Sequence, residues 1–239
     1  MTLFLGKWKI FDEHRERCMT YFASMSELDD ANESPGVEVI GRWSDLGTAS
    51  GFVVCLANDY NSVASWMYNW APMADITVKP VCDDNTARSI ILGKDQPPPK
   101  ELTLTPSSDT TYAIEYEFYD DKRQEAMKAF ASMTPEQDQA DAGRCVCLGR
   151  WHDLGNGSGL AIARAKNEKD IYTWANNWSS LCKCKITPVL SDHYARQLIR
   201  SKPDFATKLK RLTMSPPRSR WGTLCKPFFS TTPGHADGL

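Results

Sequence analysis

The sequence GRWSDLG at residues 41–47 recurs as GRWHDLG at residues 149–155, with one substitution and an offset of 108 positions. The same offset, without a gap, places FASM at 22–25 on FASM at 130–133. Single residues elsewhere match at this offset, namely Trp66 with Trp174, Trp70 with Trp178, Pro80 with Pro188, Asp84 with Asp192 and Arg88 with Arg196. The chain is therefore an internal duplication.

Each half predicts a strand, a helix, two strands, a helix and a strand, in that order. Alternating β-branched and aromatic residues indicate strands, and apolar residues three and four positions apart indicate helices. The predicted strands are 3–11, 36–43, 50–58 and 74–81 in the first half, and 112–119, 144–151, 158–166 and 184–190 in the second. The predicted helices are 12–25, 59–70, 120–133 and 168–178. This order predicts an α+β fold, a tandem duplication of a βαββαβ ferredoxin-like unit with pseudo-twofold symmetry and an extended C-terminal arm.

The predicted boundaries follow the repeat and the proline content. We assign a first repeat at 1–95, a Pro-rich linker at 96–110, a second repeat at 111–200 and a basic, Pro- and aromatic-containing arm at 201–239. Helical periodicity continues after Arg196 through QLIRSKPDFATKLKRL, and the segment 213–239 has no periodicity and is not expected to fold by itself.

We interpret the repeated phrase as a structural element. Arg-Trp ends one strand, and Asp-Leu-Gly turns the chain into the next. The aspartates are expected to bond to turn amides, the tryptophans to pack over the sheet, and the glycines to supply the positive φ of a tight turn. The residues of this structural phrase are Arg42, Trp43, Asp45, Arg150, Trp151 and Asp153.

Composition restricts the class of protein. Hydrophobic residues make up 41% of the chain and charged residues 24%, which is typical of globular proteins, and we expect no membrane insertion. Eight cysteines are too few for a secreted disulfide framework, so a reducing compartment is expected. The N-terminus lacks the pattern of a secretory signal or transit peptide, and we therefore expect that any targeting segment was removed or never existed.

Charge is divided unevenly along the chain. Acidic and basic side chains number 14 and 8 in residues 1–95, 14 and 11 in 96–195, and 2 and 9 in 196–239. The body therefore carries a net charge of −9 and the tail +7. A body of that charge opposes binding to phosphates, so nucleic acid is not an expected partner, although the basic tail alone leaves that alternative open.

No catalytic, cofactor-binding or metal site is predicted. None of the four histidines has a metal-binding or catalytic spacing. Two Cys-x-Cys pairs, Cys145 with Cys147 and Cys182 with Cys184, could supply four thiolates for zinc or an iron–sulfur cluster. They fall on the second and fourth strands of one unit, which normally form opposite sheet edges, so buried structural cysteine is the favoured interpretation.

A polar residue present in only one half and directed into a pocket would favour an enzyme. His152, aligned with Ser44, is the histidine of the repeated phrase, and we expect it on an exposed turn. A pocket between sheet and helices would be lined by residues such as Trp66, Tyr68, Trp174 and Arg42. The paired tryptophans of each second helix are expected to cover their own sheet, and the alternative is that they join units or chains.

The C-terminal arm is a candidate docking segment. Aromatic side chains act as anchors at interfaces, and arginines orient the contact, whereas a purely solvating tail, the alternative, would not need them. The candidate assembly residues are Arg218, Arg220, Trp221, Leu224, Lys226, Phe228 and Phe229. If the arm binds another copy, the contact is heterologous and can propagate into a ring, filament or sheet.

Two resemblances follow from these features. Each half, through its strand order and its W…W…(I/V)xPV segment, resembles domains of the dimeric α+β barrel superfamily, which includes monooxygenases and haem enzymes. The whole chain, two such units plus a basic Pro- and aromatic-containing tail, resembles the diatom pyrenoid shell proteins. That resemblance implies a non-enzymatic protein without cofactor that assembles with itself into a sheet around Rubisco, at the pyrenoid periphery in the chloroplast stroma, and supports carbon fixation.

The sequence thus leaves two functions to separate. The first is a structural, self-assembling shell protein, with itself and Rubisco or other pyrenoid components as implied partners. The second is a small-molecule-binding protein or monooxygenase-like enzyme of the barrel superfamily.

Overall fold

A computed structural model describes residues 1–96 and 107–214. The first repeat contains β1 (Thr2–Ile10), a 3-10 turn (Asp12–His14), α1 (Arg15–Ser24), α2 (Glu27–Glu33), β2 (Val37–Asp45), β3 (Ser50–Ala57), α3 (Tyr60–Trp70), β4 (Ala74–Asp83) and α4 (Asp84–Leu92). The second contains β5 (Thr110–Phe118), α5 (Arg123–Ser132), α6 (Pro135–Ala142), β6 (Val146–Asp153), β7 (Ser158–Ala165), α7 (Glu168–Asn177), β8 (Cys182–Ser191), α8 (Asp192–Arg200) and α9 (Phe205–Met214).

The two repeats have the same topology, as the ungapped alignment predicts. Both sheets are antiparallel, with the strand orders β2-β3-β1-β4 and β6-β7-β5-β8. The edge strands of one sheet pair with those of the other, β2 with β8 and β4 with β6, so the two repeats close one eight-stranded barrel. The predicted α+β duplication is confirmed.

The tryptophans of the repeated phrase lie at the centre of this barrel. The Trp43 and Trp151 rings lie 5.6 Å apart, centroid to centroid, inside the barrel core, where Trp43 is 1% exposed. The first glycine of each phrase makes room for its tryptophan, since a Cβ on Gly41 would lie 2.3 Å from the Trp43 ring and one on Gly149 2.5 Å from the Trp151 ring. The phrase therefore recurs because both halves supply half of one core.

The turn after each phrase is stabilised partly as expected. Asp45 accepts hydrogen bonds from the Gly47 and Thr48 amides, and Asp153 accepts one from the Asn156 amide. The expectation of positive φ at the last glycine of the phrase is wrong. Positive φ falls two residues later, at Ala49 (54°) and Gly157 (64°), each immediately before the next strand begins.

Several helices are present in addition to those of the predicted βαββαβ pattern. α2 and α6 begin with capping boxes at Ser26 and Thr134 but are short and polar, so periodicity does not mark them. The helix predicted at 12–25 begins instead with the 3-10 turn, and the helical pattern after Arg196 is interrupted between α8 and α9, where Pro203 stands. α9 lies within the segment 201–239 and contacts α1 through the Lys208–Glu16 ion pair. The linker residues 97–106 and the proposed assembly residues of the arm lie outside the described residues.

Candidate functional site

Each repeat has a pocket between its sheet and its helices. The first, about 80 Å³ in volume, is lined by apolar side chains from β1, α1 and α3 and by Arg42. The second, about 60 Å³, has aromatic and sulfur-containing walls and more polar groups. The side chains that line the second pocket are Ile114, Tyr116, Phe118, Phe130, Arg150, His152, Ala161, Trp174, Ala175, Trp178, Cys182 and Cys184.

The second pocket differs from the first repeat at eight of its twelve lining positions, and two of these changes introduce polar side chains that form a hydrogen-bonded chain. Tyr116 stands where the first repeat has Trp8, and His152 stands where it has Ser44. Ser44 is buried and its Oγ lacks a hydrogen-bond partner, whereas His152 uses both ring nitrogens. The fold is common to both halves, so it does not by itself require a tyrosine and a histidine at these two positions.

Tyr116, His152 and Asp84 form a continuous hydrogen-bonded chain. The Tyr116 Oη lies 2.5 Å from His152 Nδ1, and His152 Nε2 lies 2.7 Å from Asp84 Oδ1. An ionised carboxylate only accepts hydrogen bonds, so the proton of the neutral imidazole resides on Nε2. Nδ1 is then an acceptor, and Tyr116 donates its hydroxyl proton to it.

The strand register creates this chain from both repeats. β4 pairs with β6 so that Cys82 lies opposite His152, and Asp84 begins α4 directly after that pairing ends. Asp83 caps α4 by accepting a hydrogen bond from the Thr86 amide, which fixes the start of the helix. The carboxylate thus belongs to the first repeat and the histidine and tyrosine to the second.

Room for the phenol is provided by Gly159 on β7, opposite Tyr116 in the register. A Cβ at Gly159 would lie 2.1 Å from Tyr116 Oη and 2.3 Å from the Trp151 carbonyl oxygen. In the first repeat the equivalent space above Gly51 is filled by the Trp8 indole. A glycine at the aligned position therefore leaves room for an indole in the first repeat and for a phenol in the second.

An arginine–aspartate cluster supports Asp84 from the other side. Arg150 donates two hydrogen bonds to Asp84, Nε to Oδ1 at 2.9 Å and Nη2 to Oδ2 at 2.7 Å, and its Nη2 also bonds Asp138 at 2.6 Å. Arg88 bonds the carbonyl oxygens that end α5, including that of Phe130, and its guanidinium lies 4.3 Å from the Phe130 ring.

The first repeat has the same cluster, built from the aligned residues. Arg42 pairs with Asp30 and Asp192, and Arg196 bonds both aspartates and the carbonyl oxygen of Phe22. Each cluster joins a helix of one repeat to the sheet of the other. The cluster is therefore common to both repeats, and it contains Arg42 and Arg150 of the repeated phrase.

Burial and charge set the protonation of the hydrogen-bonded chain. Burial raises the pKa of Tyr116 well above its ordinary value, although Arg150 opposes the shift. Burial lowers the pKa of His152, against the attraction of Asp84. For Asp84, burial opposes ionisation, but the charge of Arg150 and the hydrogen bonds from His152 and Arg150 outweigh it and lower its pKa. At neutral pH the chain is phenol, neutral imidazole and carboxylate.

The remaining predicted site residues have mixed outcomes. Trp66 and Arg42 line the first pocket and Trp174 the second, whereas Tyr68 is 71% exposed and lines neither, so that prediction is wrong. The expectation that His152 lies on an exposed turn is also wrong. Its ring is 5% exposed, because the residue belongs to β6 and alternation turns it toward the helices.

The two cysteine pairs lie on opposite edges of the second sheet, as the topology predicts. Cys147 is on β6 and Cys182 and Cys184 are on β8, with β7 and β5 between them. Within residues 1–96 and 107–214, no three histidine, cysteine, aspartate or glutamate side chains are grouped as ligands for a metal ion. Over the same residues, the helices are too short or too polar to cross a bilayer.

The architecture defines a duplicated, ferredoxin-like α+β barrel in a single chain. The chain belongs to the family of the domain of unknown function DUF3303, whose model matches it twice, over residues 2–94 and 110–202. A search of curated protein sequences gives no match.

Three solved structures are similar to this chain at low identity. A "putative monooxygenase" from Lactobacillus acidophilus has 10% identity and a TM-score of 0.46, with 80% of this chain and 95% of that chain covered. A "putative monooxygenase" from Fusobacterium nucleatum has 8% identity and a TM-score of 0.44, with 80% and 92% covered. A "putative chlorite dismutase" has 8% identity and a TM-score of 0.49, with 83% and 99% covered.

Proposed function

We propose that the second repeat binds a small, mostly apolar molecule and transfers a proton to or from it through Tyr116. The observation that carries the proposal is the Tyr116–His152–Asp84 chain, whose Tyr116 and His152 line the pocket and which has no counterpart in the first repeat.

The chemistry follows from the direction of the hydrogen bonds. The Tyr116 hydroxyl donates its hydrogen bond to His152 Nδ1, so its oxygen can act toward a ligand only as a hydrogen-bond acceptor. A ligand with an acidic O–H or C–H group can give its proton to Tyr116 Oη while the phenol proton moves to His152 Nδ1. The resulting imidazolium is stabilised by Asp84 at 2.7 Å, and the reverse transfer returns a proton to the same or another ligand atom.

The walls of the pocket define the ligand class. Phe118, Trp174 and Trp178 provide flat apolar surfaces, and the pocket volume of about 60 Å³ admits a molecule of only a few heavy atoms without side-chain movement. A small enol or enolisable ketone satisfies both the apolar surfaces and the Tyr116 hydroxyl.

A fluorine NMR screen with pairs of small fluorinated fragments, alike except for an acidic hydroxyl, tests this function. We expect the hydroxyl-bearing member to bind the wild-type chain at least tenfold more tightly than its partner. Tyr116→Phe should remove this preference, and the matched control Trp8→Phe, in the first pocket, should retain it. Equal affinities within the pairs in the wild type, or an unchanged preference in Tyr116→Phe, would rule out the proposed role.

A second proposal is self-assembly, and the charge division along the chain favours it. Arg196, Arg200 and Lys208 bond to the folded body, so the charge division that matters is between residues 1–214, which carry −4, and residues 215–239, which carry +2. The arm of one copy is therefore attracted to the body of the next. A shell around Rubisco at the pyrenoid periphery is the form that the resemblance to pyrenoid shell proteins implies. Light scattering of the full chain should then show large particles at low salt that shrink as salt screens the attraction. Monodisperse monomer at low salt would contradict it.

A further inference from the structure

A second reactive group lies in the wall of the same pocket, at the start of β8. The Cys182 and Cys184 sulfur atoms lie 3.6 Å apart, and both side chains line the pocket. The aligned residues of the first repeat are Ala74 and Ile76, so the fold does not require thiols at these positions.

The two thiols are not equivalent. Cys182 is 4% exposed, whereas Cys184 is partly exposed. The hydrogen bond between them raises the pKa of Cys182, with burial acting in the same direction, and lowers the pKa of Cys184. Cys184 is therefore the better nucleophile, and Cys182 is placed to react with it in a second step.

We propose that Cys184 and Cys182 form a dithiol that is oxidised by hydrogen peroxide or a small alkyl hydroperoxide entering the second pocket. This inference is independent of the proton transfer proposed for Tyr116.

The reaction has two balanced steps. The Cys184 thiolate attacks one peroxide oxygen, the O–O bond breaks, and Cys184 becomes a sulfenic acid while the alkoxide or hydroxide leaves and takes up a proton. Cys182 then attacks the Cys184 sulfur, the S–O bond breaks, and water leaves with the Cys182 proton as the disulfide forms. The dithiol loses two electrons. Hydrogen peroxide is thereby reduced to two water molecules, and an alkyl hydroperoxide to one alcohol and one water molecule.

The pocket selects this class of oxidant. Its aromatic walls and volume of about 60 Å³ suit a small uncharged molecule and exclude a charged peptide disulfide such as oxidised glutathione. Residues two apart on a strand have Cα atoms roughly 6.6–6.8 Å apart, at the upper end of the disulfide range. The disulfide should therefore be easily reduced, as labile disulfides are.

Mass spectrometry of the reduced full-length chain after exposure to hydrogen peroxide tests the proposal. We expect a loss of 2 Da, about the mass of two hydrogens, localised to residues 182–184. The pair Cys145 and Cys147 serves as the internal control, and it should be oxidised at least tenfold more slowly. Oxidised glutathione should give at least tenfold slower oxidation of 182–184 than hydrogen peroxide.

Single variants assign the two roles. Cys182→Ala should accumulate a sulfenic acid on Cys184 that dimedone traps, and Cys184→Ala should leave Cys182 unreacted under the same conditions. Alanine already stands at the aligned position 74, which favours folding of Cys182→Ala. The proposal fails if no product forms at 182–184, if the control pair reacts as fast, or if Cys182 in Cys184→Ala reacts as fast as Cys184 in Cys182→Ala.

Discussion

Acidification should destabilise the protein through His152, which is buried in its neutral form. Both ring nitrogens are already engaged, Nε2 as donor to Asp84 and Nδ1 as acceptor from Tyr116, so a second proton on the ring requires the Tyr116 hydroxyl to turn from donor to acceptor. The pKa of His152 is lowered below its ordinary value of 6.5, first by burial. Between the folded and unfolded pKa values the unfolded chain binds more protons, so the stability from this residue is complete above pH 6.5 and is lost as the pH falls.

The size of the effect has an upper bound. If the folded chain takes up no proton at His152 at pH 5.5, the unfolded chain gains about 1.4 kcal/mol from protonating it there, and almost nothing at pH 7.5. Asp84 does not contribute to this difference, because both its lowered folded pKa and its ordinary value of 3.8 lie below pH 5.5.

Urea unfolding at pH 7.5 and 5.5 measures the difference, for the wild type and for His152→Gln. Gln cannot titrate, and its amide can still donate to Asp84. We expect the wild type to lose up to about 1.4 kcal/mol more than the variant between the two pH values, since all other titrating groups are common to both. Equal losses in the two proteins would refute the assignment of His152 as a buried neutral base.

Three further changes test the fold and the arm. Ser44→Ala should raise the free energy of unfolding by about 1 kcal/mol, because it removes a buried hydroxyl without a partner, and a decrease in urea unfolding would contradict this. Gly159→Ala should lower the free energy of unfolding by roughly 3 kcal/mol or more, because the Trp151 carbonyl oxygen would lie 2.3 Å from the new methyl group. The control Gly155→Ala, whose nearest neighbour would lie at 3.5 Å, should lower it by less than about 1 kcal/mol in the same assay. Similar losses for both variants would contradict this prediction. Deletion of residues 213–239 should leave the described barrel folded by circular dichroism and abolish large assemblies in light scattering, and unchanged particles would exclude the arm as connector.

The barrel strands were predictable because the duplication makes each half a check on the other. Strands near 36–43 and 144–151 carry alternating apolar residues and a tryptophan that the barrel core requires in both halves. α2 and α6 were not predictable from periodicity, because capping rather than an apolar face defines them. The closure of one barrel depends on the β2–β8 and β4–β6 pairings, which are short and carry no local sequence pattern.

The candidate site was only partly predictable. The alignment singles out His152 as a polar residue without a counterpart, but its placement on a turn was an error of register, since β6 continues to Asp153. The alignment of the two repeats matches Asp84 with Asp192, but no local sequence pattern connects Asp84 with His152, which lies 68 residues away. The Tyr116–His152 contact requires the antiparallel order of β5, β7 and β6, which only the folded sheet supplies.

The hydrogen-bonded chain from Asp84 through His152 to Tyr116 is the central claim, and nitrogen-15 NMR of the histidine side chains tests it most directly, without any ligand. The His152 signals are identified by their absence from the spectrum of His152→Gln. At pH 7 we expect a neutral ring with its proton on Nε2 and an unprotonated Nδ1 that accepts a hydrogen bond, and Tyr116→Phe should shift the Nδ1 resonance toward that of a free acceptor. A ring protonated on Nδ1, or on both nitrogens, at pH 7 would contradict the chain and the proton transfer proposed for it.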